Sequence, residues 1–305
     1  MLRRILVSGL VFCGFAGFAF GADKAASDAK AASSAKLTAA EIVDRNVAAR
    51  GGLQAWRGVQ SLRETGQLGA GGNDRSTAPV EIPGAKRPGK AMPLPSSPRL
   101  KQEAQLPFVM ELERPRKVHF EIQFKGQTAV QVYDGANGWK LRPYLNRLEV
   151  EPYTDDELKL ATMQADLDGP LVDCAAKGTT VELEGSEKVE DRDTYNLKLT
   201  LKDGRVTHVW VDAQTFLEAK VEGQPRRLDG QIHPVEVYYR DYRAVNGLQI
   251  PFVLETRVAP LAKTGAAAAR EPHYPPEKIS IDKVVVNPKL DALHFTKPQV
   301  EVAKK

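Results

Sequence analysis

Cysteine is almost missing from this 305-residue chain, which holds Cys13 and Cys174 alone. Cys13 lies inside the apolar run 5–20, so a chain cut after that run keeps one thiol and forms no internal disulfide. Stability then rests on a hydrophobic core, in which Cys174 reads as a small buried side chain. Histidine is scarce too: His119, His208, His233, His273 and His294 are scattered, none at metal-ligand spacing from another histidine or cysteine. There is no Gly-x-Ser-x-Gly turn, no phosphate-binding glycine loop and no zinc-protease helix. The expectation is no catalytic residue, no metal and no cofactor, hence a protein that is not an enzyme; a site assembled from distant segments is the remaining catalytic reading. An excess of one charge is also lacking. Lys and Arg number 43 against 39 Asp and Glu, which leaves no electrostatic footprint for nucleic acid.

The apolar run 5–20 is too short to span a bilayer comfortably. Arg3 and Arg4 precede it, and Ala19-Phe20-Gly21 places small residues before Ala22. This predicts a cleavable signal peptide over 1–21 and export to the periplasm. Phe12 is too large to precede a lipidated cysteine, which argues against a lipoprotein signal at Cys13. Losing Arg3 and Arg4 lowers the net charge from +4 to +2.

Past the signal peptide, residues 22–36 read as a flexible Ala/Ser/Lys leader, 37–298 as one folded domain, and 299–305 as a tail. Two segments rich in proline or alanine, 70–102 and 259–276, interrupt the domain as disordered insertions. Thr38 with Glu41 and Thr154 with Glu157 are capping boxes that open helices. Asp155-Asp156-Glu157 then reads as acidic charge at a helix N-terminus, not as a catalytic carboxylate pair. Elsewhere strands dominate. Val118, Phe120, Ile122 and Phe124 alternate with polar residues, as do Leu197 and Leu199. Asp203-Gly204 and Asn246-Gly247 are hairpin signals. A two-residue turn at Asp203-Gly204 would pair Leu199 with His208 and Leu197 with Trp210, all on one face. Pro251 inside its strand implies an edge or a bulge.

The predicted fold is mainly β: about ten antiparallel strands in a curled sheet forming an incomplete barrel, covered by helices. Its apolar side would hold a ligand cavity lined by Trp56, Phe120, Phe124, Trp139, Leu158, Met163, Leu197, Leu199, His208, Trp210 and Phe252. For His208 a core histidine with a hydrogen-bond partner is the blander reading. The helices at 38–50 and 155–166 are candidate lids.

Four stretches carry a family resemblance: Gly51-Gly52-Leu53 through Trp56, Tyr133-Asp134-Gly135 through Gly138-Trp139, Asp168-Gly169-Pro170-Leu171-Val172-Asp173, and Asp241-Tyr242-Arg243 through Gly247-Leu248 and Pro251. In that order they resemble the periplasmic outer-membrane lipoprotein-sorting proteins with the LolA/LolB-like half-barrel. The resemblance implies a periplasmic carrier, a monomer, that shields acyl chains of a lipid or acylated protein. Some half-barrel relatives sense envelope stress through a protein partner instead, which is the alternative function.

Overall fold

A computed structural model of the chain describes residues 37–70, 104–143, 147–228, 230–261 and 274–299. The expected signal peptide and leader, residues 71–102 of the first insertion, 262–273 of the second, and 300–305 of the tail lie outside the described residues. Thr38 Oγ1 accepts from the Glu41 amide, and the Glu41 carboxylate accepts from the Thr38 amide, opening α1 (Ala39–Ala49). α2 (Leu53–Arg57) follows two glycines of positive φ, Gly51 at 113° and Gly52 at 93°. A β-carbon at Gly51 would lie 2.4 Å from Gly247 O, so close backbone approach requires glycine there.

The strands are β1 (Ser61–Ala70), β2 (Ala104–Glu113), β3 (Lys117–Phe124), β4 (Gln127–Tyr133), β5 (Gly138–Arg142) and β6 (Arg147–Pro152). After α3 (Asp155–Gln164) come β7 (Thr180–Val189), β8 (Arg192–Thr200), β9 (Val206–Asp212), β10 (Glu218–Leu228), β11 (Gln231–Val245), β12 (Leu248–Val258) and β13 (Glu277–Val286). All thirteen form one antiparallel sheet, ordered β6-β5-β4-β3-β2-β1-β13-β12-β11-β10-β9-β8-β7. The chain meanders outward from β1 to one edge, crosses to the other edge through α3, and meanders back until β13 pairs with β1.

Twelve interstrand gaps of about 4.8 Å would make a flat ribbon about 58 Å wide, whereas a ten-residue helix is about 15 Å long. Yet α3 touches both flanks. Its Thr162 Oγ1 lies 2.9 Å from Tyr133 Oη and its Glu157 binds Lys140, while Met163 meets Arg205 and Gln224. The sheet is therefore curled. Among the described residues no ladder joins β6 to β7, so the barrel is incomplete.

The cross-strand register fixes the two faces. Leu62-Leu112-Val118-Tyr133, Glu64-Met110-Phe120-Gln131 and Gly66-Phe108-Ile122-Ala129 are rows on the helix-covered face. On the returning strands Leu183, Leu197, Val209, Val221 and Val237 continue that side. Trp56, Leu167 and Val172 pack against Leu62, Leu112, Leu248 and Val284 to make the main core.

Two readings of the sequence are corrected. Among the described residues the strands number thirteen, not about ten: β2, β6 and β7 were missed. β7 reads Thr-Val-Glu-Leu-Glu-Gly-Ser-Glu-Lys-Val, an acidic edge strand whose apolar alternation stops at Gly185. The β8–β9 turn is also longer than Asp203-Gly204. Leu201 donates to Arg205 O at 2.8 Å, leaving a three-residue loop that ends on Gly204 at φ 83°. Leu197 thus pairs with Val209, and His208 with Lys198. That one-residue shift moves His208 and Trp210 to the face opposite the leucines. Pro251 sits where β12 is paired with β11 but β13 pairs only with residues 253–256, a locally free edge.

Candidate functional site

The helix-covered face is closed at one end and opens along its strands. Trp56 is 1% exposed; its Nε1 donates to Arg50 O at 3.1 Å and the Arg50 guanidinium lies 4.3 Å from its ring. Leu197 and Leu199 are fully buried, and Phe252 nearly so. These four residues are sealed core. Further along the same face Leu68, Met110, Phe120, Ile122, Leu254 and Ile279 are partly exposed around buried Phe108 and Ile281. Phe124 is likewise partly exposed. Of the expected lining residues, Phe120 and Phe124 lie on this partly exposed apolar stretch.

Leu158 and Met163 lie on α3, with Leu158 packed beside Tyr133 and Ala161. Trp139 pairs with Val132 in the row Arg63-Glu111-His119-Val132, on the opposite face. His208 and Trp210 lie on that face too. His208 Nδ1 is 2.7 Å from Glu222 Oε2, and Lys220 Nζ is 3.8 Å from the Trp210 ring centroid. The sequence therefore assigned Trp139, His208 and Trp210 to the wrong side.

The sequence reading also missed a polar inlay on the helix-covered face. Glu218, 2% exposed, receives Arg50 Nη1 at 3.3 Å and the Tyr242 hydroxyl at 3.1 Å. Arg50 Nη1 also donates to Asp168 O at 2.7 Å. Burial, with Glu218 nearby, pushes the Tyr239 phenol up to about 12 and raises the Tyr242 phenol as well. Glu64, 7% exposed, stands between Leu62 and Gly66 along β1, and between Met110 and Val284 across the ladder. Among the described residues it has no hydrogen bond or ion pair, and burial alone pushes its carboxyl up to about 7. A signal was present in the sequence: Leu62, Glu64, Gly66 and Leu68 share one parity, and an acid there interrupts an apolar set.

A separate recess of about 400 Å³ lies between α1, the start of α2 and the 171–176 segment, lined by Val43, Val47, Leu53, Leu171 and Cys174. Its lining comes from the helical segments and not from the strands. No group of three or more His, Cys, Asp or Glu among the described residues could hold a metal ion.

No protein-family model and no curated protein sequence matches this chain. Solved structures do. A LolA superfamily protein from Nitrosomonas europaea is 14% identical, covering 86% of this chain and 98% of its own, with a TM-score of 0.47. A putative outer membrane lipoprotein-sorting protein domain from Vibrio parahaemolyticus is 10% identical over 84% and 95%, TM-score 0.49. A DUF1329 family protein from Desulfovibrio piger is 13% identical over 85% and 97%, TM-score 0.48. The likeness to these LolA-superfamily and lipoprotein-sorting structures is one of fold.

Proposed function

We propose that this chain is an exported, periplasmic carrier-like protein that takes the acyl chain of a lipid or acylated protein into the apolar mouth of its half-barrel. The observation that carries the reading is the run of partly exposed Leu68, Met110, Phe120, Ile122, Leu254 and Ile279 on the side that the helices cover at one end only. Each buried methylene contributes about 0.8 kcal/mol, so a chain of a dozen carbons offsets the cost of association without a specific polar contact. The export signal in the sequence supports the compartment.

Titration of delipidated protein with decanol, followed by native mass spectrometry, tests it. Saturable one-to-one binding that is lost in Phe120→Asp, with the circular dichroism spectrum intact, is the expected result. No saturable binding to the wild type overturns it. A stoichiometric protein partner captured from envelope extract, bound equally well by Phe120→Asp, would favour the regulatory alternative.

A further inference from the structure

Glu64 poses a problem that the fold does not resolve. It is an acid on the floor of the apolar mouth, next in row to Met110 and Phe120. Ionised, it only accepts hydrogen bonds, and nothing among the described residues donates to it. Arg50, the buried cation of the same face, is held by Glu218 and Asp168 O. Tyr239 stands on the same face, in the row with Leu254, Ile279 and Leu68, its phenol feels the Glu64 charge, and its hydroxyl has no partner among the described residues either. Neither group's polar atoms rank among the side-chain atoms shut off from solvent without a partner. Both unpaired groups therefore keep a small solvent-accessible area within an otherwise apolar face.

We infer that Glu64, with Tyr239 on the same face, is a recognition point for a positively charged donor, and that the amphiphile taken up by the mouth carries a primary amine. This rests on the proposed function. An ammonium group supplies both the missing charge and the missing donors, and a carboxylate buried in apolar surroundings is retained best when it has such a partner. A carboxylate-headed chain would meet Glu64 as a like charge.

The test compares decylamine, decanol and decanoate binding to delipidated wild type and E64Q at about pH 8, where the amine is charged. The expected result is decylamine tighter than decanoate by at least about tenfold in the wild type, with decanol between them and the preference collapsing in E64Q. Equal affinities in the wild type overturn the inference, as does a preference that survives in E64Q. If E64Q fails to fold, Tyr239→Phe replaces it and is expected to reduce the amine preference about threefold; an unchanged preference there overturns the inference. If no chain binds at all, it is the carrier reading that fails. Decanol binding without head-group discrimination leaves that reading standing and defeats this one.

Discussion

Arg114 donates through Nη2 to Asp168 Oδ2 at 2.6 Å, joining the β2–β3 turn to the loop that follows α3. The same guanidinium donates to Val59 O and Trp56 O, and Lys177 reaches the other Asp168 oxygen at 2.7 Å. Burial opposes ionisation of Asp168, but the hydrogen bonds from Asp166, Lys177 and Arg114 outweigh it and hold the carboxyl below its ordinary range. One 2%-exposed carboxylate thus anchors the Asp-Gly-Pro loop, the sheet and the helices to one another.

Asp168→Asn leaves two cations facing an uncharged amide. Lys177 keeps Asp166 and Arg114 keeps its carbonyls, so the loss falls at the lower end for a broken buried pair, roughly 3 kcal/mol. Urea unfolding checks it; a change under about 1 kcal/mol would show that the anchor is dispensable.

The hairpin register makes opposite demands on neighbouring residues. Leu197 is fully buried, so Leu197→Ala is expected to cost about 2–5 kcal/mol. His208 sits on the other face between Glu222 and Glu184, both substantially exposed, so His208→Ala is expected to cost less than about 1 kcal/mol. Comparable losses at both sites would contradict the three-residue loop.

Glu64 ties stability to pH. Its folded carboxyl titrates near 7 and its unfolded one near 4.5, so between those values the folded chain holds the extra proton. Stability from this group is present below about pH 4.5 and is lost as pH rises through 7, by up to roughly 3 kcal/mol. Glu64→Gln is expected to flatten the slope of melting temperature over that interval. A slope identical to wild type would mean that Glu64 is solvated.

Glu190 acts in the opposite sense. Hydrogen bonds from Arg240, then the charges of Arg240 and Arg257, hold it at about 2. It joins the β7–β8 turn to β11 and β12 at 2.7 Å and 3.0 Å. Its contribution is present above its unfolded value and lost as pH falls from about 4.5 to 2. Because Glu190 is one-third exposed, the effect is screened to about 1 kcal/mol. Acid unfolding of Glu190→Gln is expected to lose that component of the pH dependence while keeping the component due to Glu64.

What was legible in the sequence was local chemistry. Both capping boxes formed as read, because a Thr and a Glu three residues apart settle a helix start without reference to the rest of the chain. Asn246-Gly247 turned as expected, with φ of 51° and 82° joining Val245 to Leu248. Side chains were harder to place. Trp139 and Phe120 both look like core residues in sequence, and only the ladder through Val132 and His119 puts Trp139 on the far side. Arg50, Glu218 and Tyr242 are separated by 168 and 24 residues in sequence and meet only after β10 and β11 are laid beside α1. No spacing rule reports such a meeting. Glu64 differs, since its wrong polarity within an apolar parity set was visible in the strand itself.

The missing ladder between β6 and β7 has a mechanical consequence. In a closed cylinder the strand count and stagger dictate the bore, and widening it means breaking hydrogen bonds. Here the bore depends on how tightly the ribbon coils and on α3, which clasps Tyr133 and Lys140 on one flank and reaches Arg205 and Gln224 on the other. On the carrier reading proposed above, a guest of larger girth would be admitted by relaxing the clasp while every strand keeps its neighbours.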